Sequence, residues 1–457
     1  MARYISIICG LLLLALAAFG AGLYSGGQRN AIYDAADLFT KNLLGEVRML
    51  RAEVASGKIL QGSAAEFVQP AMKDGAGVTV NARPGDGGLI MLSGFFEGGN
   101  EIRLIRRDGT VVQRWPVAYY DIFSKNDWYY YAPKSNLNVD MHGALLTRRG
   151  EVLFNFEYGG IVKLDQCGEV LWSRQEPMHH SVAPATGGGY WVPGRYVYIG
   201  ATEADRFPPF TDSKDRRDFQ DDLIVRLSED GDILESQSIP QILYDSGLKP
   251  LMTANGNNFA MGPGTRQELV HSNKIVELTP DLAAAFPLFE AGDLAVSLRN
   301  LNTIAVIDRE TWTVKWHQTG PWLRQHDPEF TPDGRISIFN NNMFGDAYDA
   351  SRYTRPDAPR VSEIVAIDPV TRETEVVYGN RPGQEFLSVI RGKHQLLPDG
   401  GMMITEFDGG RAFEVGAEGR IVWEYINRVS EDFVGEITEA RLYPATYFED
   451  VDWSCGG

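Results

Sequence analysis

Cysteine is scarce in this 457-residue chain, which has three. Cys9 lies in an N-terminal apolar run, and neither Cys167 nor Cys455 belongs to a CxxC pair, so nothing suggests a cysteine-held metal. In an oxidising compartment Cys167 and Cys455 are a candidate disulfide that would pin the C-terminal tail to the body; two unpaired thiols are the alternative. Positive charge is also short, with 43 Lys and Arg against 61 Asp and Glu and a net charge of −18. A surface of that sign does not neutralise phosphates, which argues against nucleic acid as a partner. No GxxxxGK[ST] segment occurs, so no nucleotide phosphate cradle is expected and no cofactor is implied. Helix-period patterning is scarce after residue 85.

The N-terminus is the exception to the mixed character of the chain. No charged residue stands between Arg3 and Arg29, and residues 5–24 are apolar enough to cross ~30 Å of hydrocarbon as a helix. The run reads as an uncleaved anchor, with a cleaved signal peptide as the alternative. Either way the body is exported, which in a bacterium means the periplasm: an inner-membrane protein facing it if the anchor stays, a soluble periplasmic protein if it is cleaved. Residues 31–55 read as an amphipathic helix, with Leu38, Leu43, Leu44, Val47 and Leu50 near helical spacing. The expected division is an anchor or signal segment over 1–30, a helical linker over 31–84 and a catalytic domain over 85–457.

Glycine is abundant (48 residues) and recurs at turn-like spacings. HGALLTRRGEVLFNFEYGGIVKLDQCGEVLW at 142–172 and HQLLPDGGMMITEFDGGRAFEVGAEGRIVWEY at 394–425 share one pattern. Each reads as strand, glycine turn, strand, strand, turn, and a strand closing on an aromatic, which is the length of a four-stranded propeller blade. Segments starting at 87, 180, 271 and 326 repeat it with insertions, which makes six units. The fold class is therefore all-β, a six-bladed β-propeller, since a blade buries both faces only against stacked neighbours. Loops over 196–220, 241–265 and 343–359 interrupt the repeat and are expected to shape a pocket on one face.

Of seven histidines, five stand at the start of different repeats: His142, His180, His271, His326 and His394. The first strand of a blade lines the central channel, so equivalent positions converge on one axis. Asn273, Gln325 and Gln395 share this phase, and Arg299 follows the strand DLAVSL. Converging imidazoles permit two chemistries. They can bind a transition metal, with Asp327 as an adjacent carboxylate. They can also act without metal, one as nucleophile and others as acid, base and anion stabilisers. Arg299 and Asn273 favour anion handling.

MHHSV (178–182), VHSNKIVEL (270–278), VSLRN (296–300) and RQHDPEF (324–330) resemble the active-site segments of the bacterial PAPS-independent arylsulfotransferases, and the similarity spans roughly residues 85 to 450. The resemblance implies a periplasmic six-bladed propeller that moves a sulfuryl group from an aryl sulfate to a phenol through a sulfurylated histidine. By motif, His326 would be the nucleophile, while His180, His271, Asn273 and Arg299 would hold sulfate oxygens and assist proton transfer. His142, His394 and Gln325 are further candidate substrate contacts. No metal is implied. Trp128, Tyr129, Tyr130, Tyr131 and Trp191 are candidates to stack on an aryl ring, or to pack blades. Two departures stand out. The segment before the first blade lacks the strand-rich N-terminal domain of those enzymes, which contributes to their dimerisation, so the oligomeric state stays open. Asp327 places a carboxylate beside the expected nucleophile, where it would either disfavour a sulfate or orient His326. A metal-dependent propeller hydrolase or lyase and a non-catalytic membrane-tethered scaffold are the rival functions.

Overall fold

A computed structural model describes residues 67–123, 139–198, 201–212, 219–254, 268–343 and 361–455, together with Gly22 and Asn136. The body is all-β, with six antiparallel sheets of four or five strands arranged as the blades of a propeller. From axis to rim, blade 2 runs Met141–Leu146, Val152–Phe156, Gly160–Leu164 and Val170–Arg174. Blade 3 begins at Ala183–Pro184, blade 4 at Ser272–Glu277, blade 5 at His326–Phe330 and blade 6 at Lys393–Leu396. In blade 2 every residue of the inner three strands is buried, while the rim strand is half-exposed. That gradient explains the continuous apolar runs of the inner strands and the mixed rim sequences.

Closure is the feature that the repeat pattern does not reveal. The first unit supplies only the outer strands of blade 1, Leu89–Phe96, Gly99–Arg106 and Val111–Pro116. Its axial strand is Ile437–Tyr443 from the far end of the chain, in register from Ile437 opposite Gly94 to Tyr443 opposite Leu89. Reciprocally, Gly77–Asn81 adds a fifth strand to the rim of blade 6. Strands from both sides of the ring are thus stitched across the seam.

The tryptophan near the end of four of the repeats is a rivet between blades. The indole N–H donates to a turn carbonyl of the next blade in four cases: Trp115 to Asp165, Trp172 to Glu229, Trp316 to Pro369 and Trp423 to Arg107, at 2.9–3.0 Å. The receiving turns need a left-handed residue, and in three of them Gly109, Gly168 and Gly231 supply it with φ of 85 to 96°. Trp423 is fully buried in the seam core with Ile90, Phe96 and Ile437. Trp423→Ala is therefore expected to cost about 3–5 kcal/mol in urea unfolding.

Beyond the closing strand, the tail crosses to blade 2. Tyr443 Oη accepts from Leu146 N at 2.9 Å, Tyr447 Oη donates to Leu146 O at 2.8 Å, and Trp453 packs edge-on against Trp115. A Cys167–Cys455 disulfide, spanning 288 residues, ties the tail to the last turn of blade 2.

The expected anchor over 1–30 and amphipathic helix over 31–55 lie outside the described residues, apart from Gly22. The described end of the expected helical linker is not helical: Val68–Pro70 pairs with Phe433–Gly435, and Gly77–Asn81 joins blade 6. Among the described residues no helix is long and apolar enough to cross a membrane.

Candidate active site

Four axial strands break register at one end, at Met141/Ala144, Ser272/Lys274, His326/Glu329 and Ile437/Glu439. Bulges re-aim side chains, and His142 and His326 sit on two of these while His271 precedes a third. His180 and His271 themselves adopt φ of 64° and 49°. Left-handed backbone at residues other than glycine costs roughly 1–3 kcal/mol each and concentrates where function requires it. Gly143 permits a close approach of two blades, since a Cβ there would stand 2.7 Å from His180 O. The His142 and His180 rings accordingly lie 4.0 Å apart.

His326 is held by an asparagine that the sequence did not single out. Its Nδ1 lies 2.7 Å from Asn341 Oδ1, and Asn341 Nδ2 donates to Ser388 O at 2.9 Å and Arg391 O at 2.7 Å. Two carbonyl acceptors fix the amide, so its oxygen faces the ring and Nδ1 must carry the proton. In the neutral ring the lone pair is then on Nε2. Burial, reinforced by the Arg299 cation and by neighbouring imidazoles, holds the His326 pKa well below the usual imidazole value.

A row of imidazoles faces His326. The His180 ring stacks 5.9 Å from it; His180 Nε2 lies 3.2 Å from His271 Nε2, and His180 Nδ1 lies 2.7 Å from His179 Nδ1. Arg299 Nη1 approaches His271 Nε2 at 3.5 Å. Each end of the row has a carboxylate: Glu157 on His142 Nδ1 and Glu268 on His271 Nδ1. Behind Glu268, Arg195 bonds Asp222 at 2.9 and 3.2 Å, and Asp222 accepts from His271 N at 3.2 Å. Burial lowers the pKa of His142 and, more strongly, of His179 and His180. Burial thus favours the neutral form of His142, His179, His180 and His326, and Arg299 beside them supplies positive charge, which suits an anion in an otherwise acidic molecule. Donor atoms of His142, Glu157 and His180 lie within 4.8 Å of one another, a donor set of the type that holds zinc. The same atoms also take part in hydrogen bonds, His142 Nδ1 with Glu157 and His180 with His179 and His271.

Other candidates fall elsewhere. His394 lies in a strand that pairs without a register break, and its Nε2 meets Ser337 Oγ at 2.7 Å, away from the cluster. Gln325 Nε2 donates to Ser297 Oγ at 3.1 Å and Thr303 O at 3.0 Å, so its side chain braces blade 4. Asn273 Nδ2 donates to Gln325 O at 2.8 Å, joining blades 4 and 5 beside the site. The Asp327 carboxylate is engaged by groups other than the His326 ring. It pairs with Lys274 Nζ at 2.8 Å and accepts from His394 N at 2.7 Å, and although burial acts upward on it, Lys274 and His394 hold it ionised. Trp191 is fully buried and donates to Glu277 at 2.7 Å, a packing role; residues 128–131 lie outside the described residues. His179, Glu157, Glu268 and Asn341 complete the site without having been expected in it.

A profile of the family described as arylsulfotransferase (ASST) matches residues 142–428, more than half of the chain and blades 2 to 6 apart from Met141 and the Gly77–Asn81 strand. The chain belongs to the arylsulfotransferase family. The match spans every axial histidine. No curated protein matches the chain. Similar solved structures include a protein of unknown function from Bacteroides caccae, at 14% identity over 78% of this chain and 98% of that one, with a TM-score of 0.47. Virginiamycin B lyase from Staphylococcus aureus is 12% identical over 69% of this chain and 86% of that one, with a TM-score of 0.34. At these scores neither likeness carries an argument about this arylsulfotransferase-family protein.

Proposed function

We propose that the protein transfers a sulfuryl group from an aryl sulfate to a phenol through a sulfo-His326 intermediate, without a nucleotide donor. Family membership supports the reaction class, and one observation supports the intermediate: Asn341 sets His326 with Nδ1 protonated and Nε2 bare. The Nε2 lone pair attacks sulfur in line, and the S–O(aryl) electron pair leaves with the phenolic oxygen. The Arg299 cation neutralises charge building on the sulfuryl oxygens, with the His180 and His271 rings beside it. Because the partner of Nδ1 is a neutral amide, the sulfurylated ring keeps its positive charge and remains a good leaving group for the acceptor phenol. We place the propeller outside the cytoplasm, tethered by the apolar segment over 1–30, a reading supported by the charge-free run and by the Cys167–Cys455 disulfide.

The test is release of 4-nitrophenol from 4-nitrophenyl sulfate by metal-stripped protein, with and without added phenol. Turnover that depends on phenol and needs no metal is expected. Activity that returns only with added metal would move the reading to a metal-dependent hydrolase at His142, Glu157 and His180.

A further inference from the structure

The hydrogen-bond polarity of the imidazole row assigns a residue beyond the histidines. We infer that Glu268 is a positioning residue that fixes the proton of His271 on Nδ1 and so makes His271 Nε2 the proton carrier of the site, a role whose chemical step rests on the sulfuryl-transfer reading. The chain of reasoning begins at Arg195, whose side chain is fully buried against Asp222 and which also donates from Nη1 to Glu268 at 2.5 Å. Burial alone would raise the Glu268 carboxyl, but His271 and Arg195 outweigh it and hold it well below the ordinary carboxylate range. An ionised carboxylate only accepts, so the nitrogen facing it, His271 Nδ1, must be an N–H.

The polarity then propagates. His271 Nε2 is bare in the neutral ring and faces the donor Arg299 Nη1 at 3.5 Å. Across the 3.2 Å contact, His180 Nε2 donates to it; His180 Nδ1 is therefore bare and accepts from His179 Nδ1 at 2.7 Å. The hydrogen-bonded run from His271 through His180 stops at His179, whose Nε2 is buried and has no partner among the described residues. As a bare nitrogen it is tolerable there. The opposite polarity would bury an unpaired N–H, the rarer and costlier defect.

The reaction step balances on this assignment. In the donor half, His326 Nε2 forms the N–S bond, the S–O(aryl) electron pair passes to the aryl oxygen, and a solvent proton taken up on the bare His271 Nε2 is passed to that oxygen. In the acceptor half, the phenol proton returns to His271 Nε2, its oxygen forms the new S–O bond, and the N–S electron pair returns to His326. Glu268 stays ionised throughout and stabilises the imidazolium.

Two readouts test this, on the full chain labelled with 15N-histidine and on its Glu268→Gln and Glu157→Gln variants. Nitrogen shifts should report His271 as Nδ1–H and His180 as Nε2–H in the parent protein. The His271 pattern should change in Glu268→Gln and persist in Glu157→Gln. With aryl sulfates of graded leaving-group pKa, Glu268→Gln should lose about 10²–10³-fold in kcat/KM for unactivated phenols and under about tenfold for 4-nitrophenyl sulfate. A parent His271 found as Nε2–H, or a loss equal across all leaving groups, would overturn the assignment. The predicted tautomers in a protein that turns over no aryl sulfate would uphold the positioning role and remove the sulfuryl-transfer reading instead.

Discussion

His326→Ala is expected to lower sulfuryl transfer by on the order of 10⁴-fold or more, because it removes the atom that forms the covalent bond. Asn341→Ala should fall about 10²–10³-fold in kcat with KM little changed, since the nucleophile remains but its reactive tautomer is no longer imposed. The two variants therefore separate making the bond from orienting the ring. Asn341 also satisfies the buried carbonyls of Ser388 and Arg391. Its removal leaves polar groups orphaned at about 1–3 kcal/mol each. Rates are accordingly to be compared at a temperature where both variants are fully folded by circular dichroism. Equal losses in the two would mean that Asn341 supports the fold around the site and not the tautomer.

The second large effect is on stability against acid. Burial depresses the folded pKa of His142, His179, His180 and His326, while in the unfolded chain each titrates near 6.5. A depressed histidine stabilises the fold above the unfolded pKa. That contribution is lost as pH falls below it, at up to about 1.4 kcal/mol per pH unit for each group. Two buried carboxyls act in the opposite sense: burial pushes Asp221 up to about 8 and Asp408 up to about 7. Both are protonated in the fold before they are in the unfolded chain, so acidification toward pH 5 favours the fold at these two. The histidines outnumber them, and stability should fall between pH 6.5 and 5 by a net of at most about 3 kcal/mol per unit. Urea unfolding across pH 5–8 measures this. A flat profile would mean that the imidazole cluster is already protonated in the folded state.

The propeller and the axial convergence were legible because both are written in local, repeated pattern. Gly109 and its counterparts, the rim tryptophans and the five phase-matched histidines each recur at one phase of the repeat. What lay beyond the sequence is what depends on distant pairing. Ile437–Tyr443 carries no repeat signature and finds Leu89–Phe96 only when the ring closes. His394 shares the phase of the others, yet its strand lacks the register break, and its ring lands on Ser337. Gln325 likewise reads as axial but turns outward to Ser297 and Thr303. Glu268 and Asn341 have no motif at all, because a carboxylate or amide becomes part of a site through the nitrogen that it happens to face. Asp327 shows the converse, since its sequence neighbour is His326 but its charge is answered by Lys274.

The most direct measurement of the central claim is to mix the protein with an aryl sulfate in the absence of any phenol, quench, and map the mass of one added SO3 by peptide mass spectrometry. The account predicts the added mass on the peptide containing His326, lost when phenol is supplied before the quench and absent from His326→Ala. Phenol-dependent transfer with no covalent species, or the group found on His180 or His271, would contradict it.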